Sequence, residues 1–544
     1  MIPLAKIPNT TLSIQETPLL PRLIKPLSIL ILLSGIGIRV FRFWENRCLE
    51  GDEAALALNF ADRTFRGLLA GPLSHNQHAP IGFLTAVELS TSIFGMGEQA
   101  LRLIPLVSGL AALYAFHILA KKTLSPWLAV AALMCFSFNR DLIYYSVTLK
   151  QYETEVLMAV LLCIAYMEWA DSLRSYNLLA WGLAGGIAVW FSYSCIFILA
   201  ATGLAAAIEP MRTRQWKHLA KLAAVYGFWL LNFGFIYSLS IKASTSSNWL
   251  AKFWQDKQAF APLPVSLDGV AWFLTASFKF VSHPLSLKNN LHPALDYKLN
   301  IIVVLLLLAG SALMLVKKPK FFFSFSLPFL FTVLASGLRV YPFSGRLLLF
   351  LIPLCLIVIF FGIHFFLDFF SKKIPKTRYA VWLVGGFMVV FLFMPSLANS
   401  LDNSLYESSQ SREAFAFVNA RRKPDEMVYI HPFLSVPYLY YQKTSGYGWK
   451  LAVATSPYGQ ARSLEQYKAA IKNDFLKTES EHRFWIVTSN LYDVALAASA
   501  DDVFVSRLRL SEESVILEAA GSSGSPVQRM GRFGPESVFL KTGE

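Results

Sequence analysis

The residues best placed for chemistry sit in short polar breaks between long apolar runs. Asp52 and Glu53 occur together in RCLEGDEAALAL, Arg47 to Leu58, a few residues past the first apolar run. A carboxylate at such a boundary can take a proton from an attacking hydroxyl or amine, or help bind a metal ion. The same pair also suits the N-terminus of a surface helix, where the helix dipole favours acids. A second group lies in YYSVTLKQYETEV, Tyr144 to Val156, which brings Lys150, Tyr152, Glu153 and Glu155 to the mouth of a helix. An ammonium there suits an anionic phosphate, and Glu153 or Glu155 is a candidate second acid. A snorkelling lysine in a belt of interfacial tyrosines fits the same residues equally well. His75, Asn76, His78 and Pro80 are candidate pocket residues, although two histidines are too few for a metal site and a solvated loop histidine is the default.

The elements that carry these residues are membrane helices. Hydrophobic residues make up 55% of the 544 and charged residues 15%, with a mean hydropathy of +0.47, outside the range of soluble domains. Spans of about 20 apolar residues are needed to cross a bilayer. The candidates are 27–44, 101–120, 124–140, 153–170, 177–191, 193–209, 218–238, 298–316, 321–336, 346–370 and 379–397, about eleven helices in all. The net charge of +14 is spread in short runs between these segments, which speaks for topology and against nucleic-acid binding. Lys121 with Lys122, the segment Arg212 to Lys221, KKPK at 317–320 and KKIPKTR at 372–378 then share the inner side with the N-terminal tail. The apolar stretch 79–95 is placed in the outer interface, because counting it as a crossing would reverse most later loops. The N-terminal run has no small-residue cleavage site after it and reads as a retained helix. Of the five cysteines only Cys48 falls in an outer loop, so no disulfide framework is expected.

This orientation gives an all-α polytopic membrane domain over 1–397 and a small α/β extracytoplasmic domain over 398–544. In the first outer loop, 53–69 reads as an amphipathic helix on the membrane surface. Arg412 to Arg422 reads as a helix, and MVYI at 427–430 and FWIV at 484–487 read as strands. GLRVYPFSGRLLLF, Gly337 to Phe350, puts Arg339, Tyr341 and Arg346 outside, against the usual charge bias. A lipid phosphate, lipid headgroups or the C-terminal domain would each favour arginine there.

In combination, five segments resemble the GT-C superfamily of polytopic glycosyltransferases, which includes protein O-mannosyltransferases and aminoarabinose transferases. They are the GDE acids after the first helix, HNQHAPIGF, FGMGEQALRLIPLVSGL, YYSVTLKQYETEV and YPFSGRLLLFLIP. The resemblance covers the membrane region. It implies a sugar donor on a polyprenyl phosphate, attacked on the extracytoplasmic face by a glycolipid, glycan or protein acceptor with inversion. It assigns the leading acid to Asp52 with support from Glu53, and the donor phosphate to Lys150 and Arg346. Tyr152, Tyr341 and His75 are counted as pocket residues. Relatives often carry an acid two residues before the lysine, where this chain has Thr148. Glu155, about one helical turn beyond Lys150, is the candidate replacement. With one acid in doubt, a divalent metal is left open and no other cofactor is implied.

The expected place is a bacterial inner membrane, multi-pass, with the site on the outer face. A transporter or flippase for a lipid-linked glycan is the competing reading. It would set its ionisable groups near the bilayer midplane, whereas Asp52, Glu53, Lys150 and Glu155 gather toward one face.

Overall fold

The computed structural model describes residues 20–373 except 70, 171–173, 242–247, 264–265 and 288–292, and beyond them chiefly 409–453, 483–489, 527–533 and 536–542. Its helices are α1 (Leu20–Trp44), α2 (Gly51–Asp62), α3 (Ile81–Phe94), α4 (Glu98–Thr123), α5 (Pro126–Ser137), α6 (Arg140–Ser146) and α7 (Tyr152–Ala165). There follow α8 (Ser175–Phe191), α9 (Cys195–Arg212), α10 (Trp216–Ile236), α11 (Leu267–Ser282), α12 (Pro293–Lys317), α13 (Leu327–Gly337) and α14 (Ile352–Lys373). The C-terminal part adds α15 (Ser411–Arg421) and α16 (Pro432–Ser445).

Among the described residues, seven helices are long and apolar enough to cross a membrane. They are Arg22–Trp44, Glu98–Thr123, Cys195–Arg212, Trp216–Leu239, Tyr297–Lys317, Pro319–Gly337 and Gly345–Phe370. The expected spans at 124–140, 153–170 and 177–191 fall on shorter helices: α5, α7 with the π-helical turn Tyr166–Ala170 after it, and α8. The expected span 379–397 lies outside the described residues. α3, with 14 residues, reaches about 21 Å, shorter than the hydrocarbon thickness.

Gly345–Phe370 is the most buried of the seven, with Leu348 to Phe361 enclosed on every side. A helix apolar all round belongs at the centre of a bundle. Its first turns, Gly345–Leu351, are 3₁₀ and bring Arg346 to the polar end of that centre. α4 lies along α7, and Gly109 permits the approach: a Cβ there would meet Ser146 Cβ at 2.7 Å and Glu153 Cγ at 3.2 Å. At their far ends Lys122 of α4 pairs with Glu168 in the π-helical turn that follows α7. Asp52, Arg102 and Lys150 therefore sit at the opposite end from the Lys121–Lys122 loop.

The C-terminal part is α/β. Strands β1 (Met427–Ile430), β2 (Lys450–Val453), β3 (Arg483–Ser489), β4 (Val527–Phe533) and β5 (Glu536–Thr542) form one sheet in the order β2-β1-β3-β5-β4. β1 runs parallel to both β2 and β3, with Val428 opposite Leu451 and Trp485, while β5 is antiparallel to β3 and β4. α16 makes the β1-to-β2 crossover. It opens on Pro432, whose missing N–H costs nothing in a first turn, and ends at Gly446 with φ 73.

This domain shares its core with the first loop. Phe415, Val418, Leu434, Tyr438 and Trp485 are continuous with Leu49, Ala54, Leu56, Phe60 and Leu101. That continuity corrects one expectation, since α2 is not an amphipathic helix resting on the membrane. Glu53 to Phe60 are all buried, and the helix packs against α16. Ala54, Ala55 and Ala57 leave room for that close approach, so the C-terminal domain covers the face that would otherwise meet lipid or water.

The charge bias of the loops predicts a measurable sidedness. The five native cysteines are buried and should contribute little background labelling. A cysteine introduced at exposed Lys423 should react with an impermeant thiol reagent on intact cells, and one at exposed Lys318 only after membrane disruption. Labelling of Lys318→Cys on intact cells would reverse the orientation.

Candidate active site

The site grows out of one buried carboxylate. After α1 the chain turns at Asn46, where φ is 46, and enters α2 through Glu50. The Glu50 N–H donates to Glu53 Oε2 at 3.4 Å, which is one half of a capping box. Glu53 is 1% exposed and is held from three directions. Arg102 of α4 donates to it through Nε and one terminal nitrogen, both at 2.8 Å. Arg47 lies 3.2 Å from Oε2, and the Leu149 N–H donates to Oε1 at 2.7 Å. Burial works against its charge, yet the two guanidiniums and the Leu149 N–H outweigh that and hold the carboxyl at about 2. Arg102 also donates to the carbonyls of Arg47 and Cys48. Glu53 thus joins α2, α4 and the turn before α7.

Asp52, its neighbour, is the more exposed of the two acids on a cavity of about 420 Å³ that Glu53 also borders. That cavity is lined by Asp52, His75, Gln77, Tyr145, Lys150 and Arg346 among others. Asp52 Oδ2 accepts from an Arg346 terminal nitrogen at 2.6 Å, and its side chain is 49% exposed. Burial raises its pKa, but Lys150 and Arg346 more than compensate and keep it at about 2. Lys150 is buried and donates from Nζ to Gln77 Oε1 at 2.6 Å. Desolvation pushes its ammonium down to about 8, against the pull of Asp52 and Glu53. His75 and Asn76 take left-handed conformations, φ 58 and 53, in the turn that delivers Gln77. His78 is lowered by burial and then by Lys150.

The other expected residues lie around this cavity rather than on its wall. Tyr152 is beneath the Arg346 guanidinium, 5.7 Å from ring centroid to Cζ. The Tyr341 hydroxyl donates to the Leu347 carbonyl at 2.7 Å and so fastens the 3₁₀ segment that carries Arg346. Glu155 is buried and accepts from the Ser194 hydroxyl at 3.2 Å. Glu153 is buried beside Gly109, and neither of its carboxylate oxygens has a hydrogen-bond partner among the described residues. Thr148, where an acid was expected, accepts from Arg47 at 2.8 Å and donates to the Tyr144 carbonyl at 2.7 Å. The charge an acid would have given Arg47 comes instead from Glu50, at 2.8 Å, and Glu53.

Several site residues were missed in the sequence. Gln77, Tyr144, Tyr145 and Glu50 line the cavity, as does Val436 from α16, so the C-terminal domain supplies part of the wall. Arg102 carried a usable signal, an arginine inside an apolar run, which is rare in a membrane helix without a partner. Arg412 and Tyr441 bind Glu98, at 2.7 and 3.0 Å, and seat the domain on the first turn of α4.

Among the described residues, no group of three or more His, Cys, Asp or Glu side chains is arranged to hold a metal ion. Both oxygens of Glu50 and of Glu53 and one oxygen of Asp52 are engaged by arginines, a tyrosine and a backbone N–H.

The hub makes a prediction about stability. Glu53→Ala leaves the buried Arg102 guanidinium without its carboxylate and should cost about 3–5 kcal/mol, whereas Asp52→Asn, at a half-exposed pair, should cost under about 1 kcal/mol. Thermal unfolding of the purified protein in detergent measures both, and equal melting temperatures for the two variants would contradict the roles assigned.

Residues 77–235 match the family model described as Dolichyl-phosphate-mannose-protein mannosyltransferase. No curated protein matches the sequence. Among solved structures the chain is similar to ArnT from Cupriavidus metallidurans bound to undecaprenyl phosphate. That similarity is at 11% identity and a TM-score of 0.47, covering 96% of this chain and 98% of that one. It is also similar to the same protein in the apo state, at 14% identity and a TM-score of 0.39, covering 94% and 97%. The family match begins within HNQHAPIGF, at Gln77, and spans the FGMGEQALRLIPLVSGL and YYSVTLKQYETEV segments, and it supports the resemblance of this chain to the GT-C superfamily.

Proposed function

We propose that the chain is a membrane glycosyltransferase that moves a sugar from a polyprenyl-phosphate donor to a glycolipid, glycan or protein acceptor, on the extracytoplasmic face and with inversion. The observation that carries this reading is the cavity at the polar end of the bundle. There one carboxylate, Asp52, meets two cations, Lys150 and Arg346, that come from distant parts of the chain. The matched family, named for a dolichyl-phosphate-mannose donor, supports the donor class.

The geometry suggests how these residues work. Arg346 is engaged by Asp52 before substrate arrives, and a phosphate is a better bidentate partner for a guanidinium. Donor binding then draws Arg346 to the phosphate and frees Asp52. With its counter-charge shared and the negative charge of the donor phosphodiester nearby, the Asp52 carboxylate becomes more basic than the ion pair allows. It can then accept the proton of the acceptor hydroxyl or amine as that oxygen or nitrogen attacks the anomeric carbon. The bond from that carbon to the phosphate oxygen breaks, and its electron pair leaves on the phosphate. Lys150 and Arg346 face the charge that develops there. No step needs a metal ion.

Two outcomes test the reading. Asp52→Asn should lose about 10²–10⁴ in transfer rate, as expected for a positioned general base, while keeping normal expression. Lys150→Ala should raise the donor KM strongly. Because the Lys150 ammonium is lost as pH rises through about 8, donor use should fall across that pH, and Lys150→Arg should move the fall to higher pH. These are read by transfer of radiolabelled sugar in membranes, and full activity of Asp52→Asn would remove the base from this position. Transfer should also persist in excess chelator, and its loss there with recovery on adding Mg²⁺ or Mn²⁺ would establish a metal requirement.

A further inference from the structure

On the other side of Gly345 lies a second cavity of about 460 Å³ that the reaction outlined above does not use. Its polar wall carries Lys257, Lys279, His283 and a single acid, Asp268, and its apolar wall carries Trp272, Phe280 and Phe343. Three cation-forming groups to one acid, beside an apolar face, suit an amphiphile with an anionic head. His283 is the most constrained of the three. Its Nδ1 lies 2.8 Å from Asp141 Oδ1, and Asp141 is itself buried and accepts from the Ser286 hydroxyl at 3.1 Å. The Asn139 side-chain amide donates to the carbonyls of Pro284 and Leu285, at 3.1 and 2.9 Å, and fixes the loop behind the imidazole. The ring is half exposed, and its Nε2 edge passes over Gly345, where a Cβ would stand 3.4 Å from both Cδ2 and Nε2. Gly345, with φ 41, is thus favoured for its left-handed backbone and lies in contact range of the imidazole. The next residue is Arg346.

We propose that His283, oriented by Asp141, is a further phosphate-binding residue of the donor site, presenting Nε2–H across Gly345 to the anion that Arg346 engages. The inference rests on reading the site as one for a polyprenyl phosphate. A carboxylate on Nδ1 fixes both the tautomer and the ring orientation, so the remaining N–H is aimed at the cavity. The groups that face the imidazole are Asp141 and Arg140 of α6, Arg346 of the 3₁₀ segment, and Lys257, Asp268 and Lys279 across the cavity. Burial lowers the pKa of His283, but Asp141 more than offsets this, and the net direction is upward. The imidazolium is therefore present below that raised value and lost as pH increases through it.

The test is equilibrium binding of a short-chain polyprenyl phosphate, the matching uncharged polyprenol and inorganic phosphate to the full chain in detergent, across pH 5.5 to 8.5. His283→Gln should bind the polyprenyl phosphate about tenfold more weakly at the acid end, the worth of one charge-assisted hydrogen bond, and should bind the polyprenol as the wild type does. The fall in affinity that the wild type shows as His283 deprotonates should be missing in this variant, while the fall near 8 from Lys150 remains. Asp141→Asn should keep acid-end affinity and move the His283 fall to lower pH. Inorganic phosphate weakened in parallel with the lipid supports a contact to the phosphate itself. The inference is overturned if His283→Gln keeps the wild-type affinity and pH dependence, if polyprenol binding falls equally, or if Asp141→Asn leaves the midpoint unmoved. A wild-type protein that binds no polyprenyl phosphate overturns the donor reading and this inference with it.

Discussion

The whole arrangement hangs on one buried carboxylate and the partners that hold it. Glu53 is bound bidentately by Arg102, flanked by Arg47 and capped by the Leu149 N–H. Taking such a group out of water is costly, and the cost is offset only where geometry and hydrogen bonds are nearly complete. Here they are, so three separate segments are fixed to one point. α2 must begin where Glu53 reaches Arg102, and successive residues of a helix point about 100° apart. Asp52 therefore takes its place on the cavity wall from the position that Arg102 and the Leu149 N–H give to Glu53. The Leu149 N–H fixes the residue beside Lys150 in the same manner.

A second constraint comes from outside the membrane bundle. The C-terminal domain is bound to the first turn of α4 through Arg412 and Tyr441 on Glu98, and the Tyr441 hydroxyl also accepts the Leu49 N–H at 3.2 Å. Its helix α16 buries α2 and sets Val436 in the cavity wall. The segment that presents Asp52 is therefore clamped between Arg102 below and α16 above. Both clamps act on the same few residues, which keeps a half-exposed carboxylate in one place at a wet boundary.

What could be read in the sequence follows from the range of the interactions. Helices and strands with local periodicity were legible, as MVYI, FWIV and the helix from Arg412 show. The convergence of Asp52, Lys150 and Arg346 was also legible, because each breaks an apolar run at the same end of the bundle. The division of labour between Asp52 and Glu53 was not. Adjacent acids look alike in sequence, and only Arg102, half a hundred positions on, separates them. Glu155 sat at the right spacing after Lys150, but Ser194 claims it on a different helix. The Asp141–His283 pair joins two loops far apart in the chain, and nothing in the spacing of either announces the other.

The electrostatics of the site follow from these fixed positions. Lys150 and Arg346 both face Asp52, and Lys257 is near enough to lower its pKa as well. One carboxylate does not neutralise such a set in a confined, partly dehydrated space, and burial first, with Arg346 adding to it, depresses the Lys150 ammonium to about 8. An incoming phosphate relieves that imbalance, because it brings the negative charge the cavity lacks. Relief for the cations is the reverse for Asp52, which loses its counter-charge to the newcomer. In the proposed reaction a single binding event therefore makes both changes, stabilising the leaving group's position and raising the basicity of the acid opposite it, through the swing of one arginine.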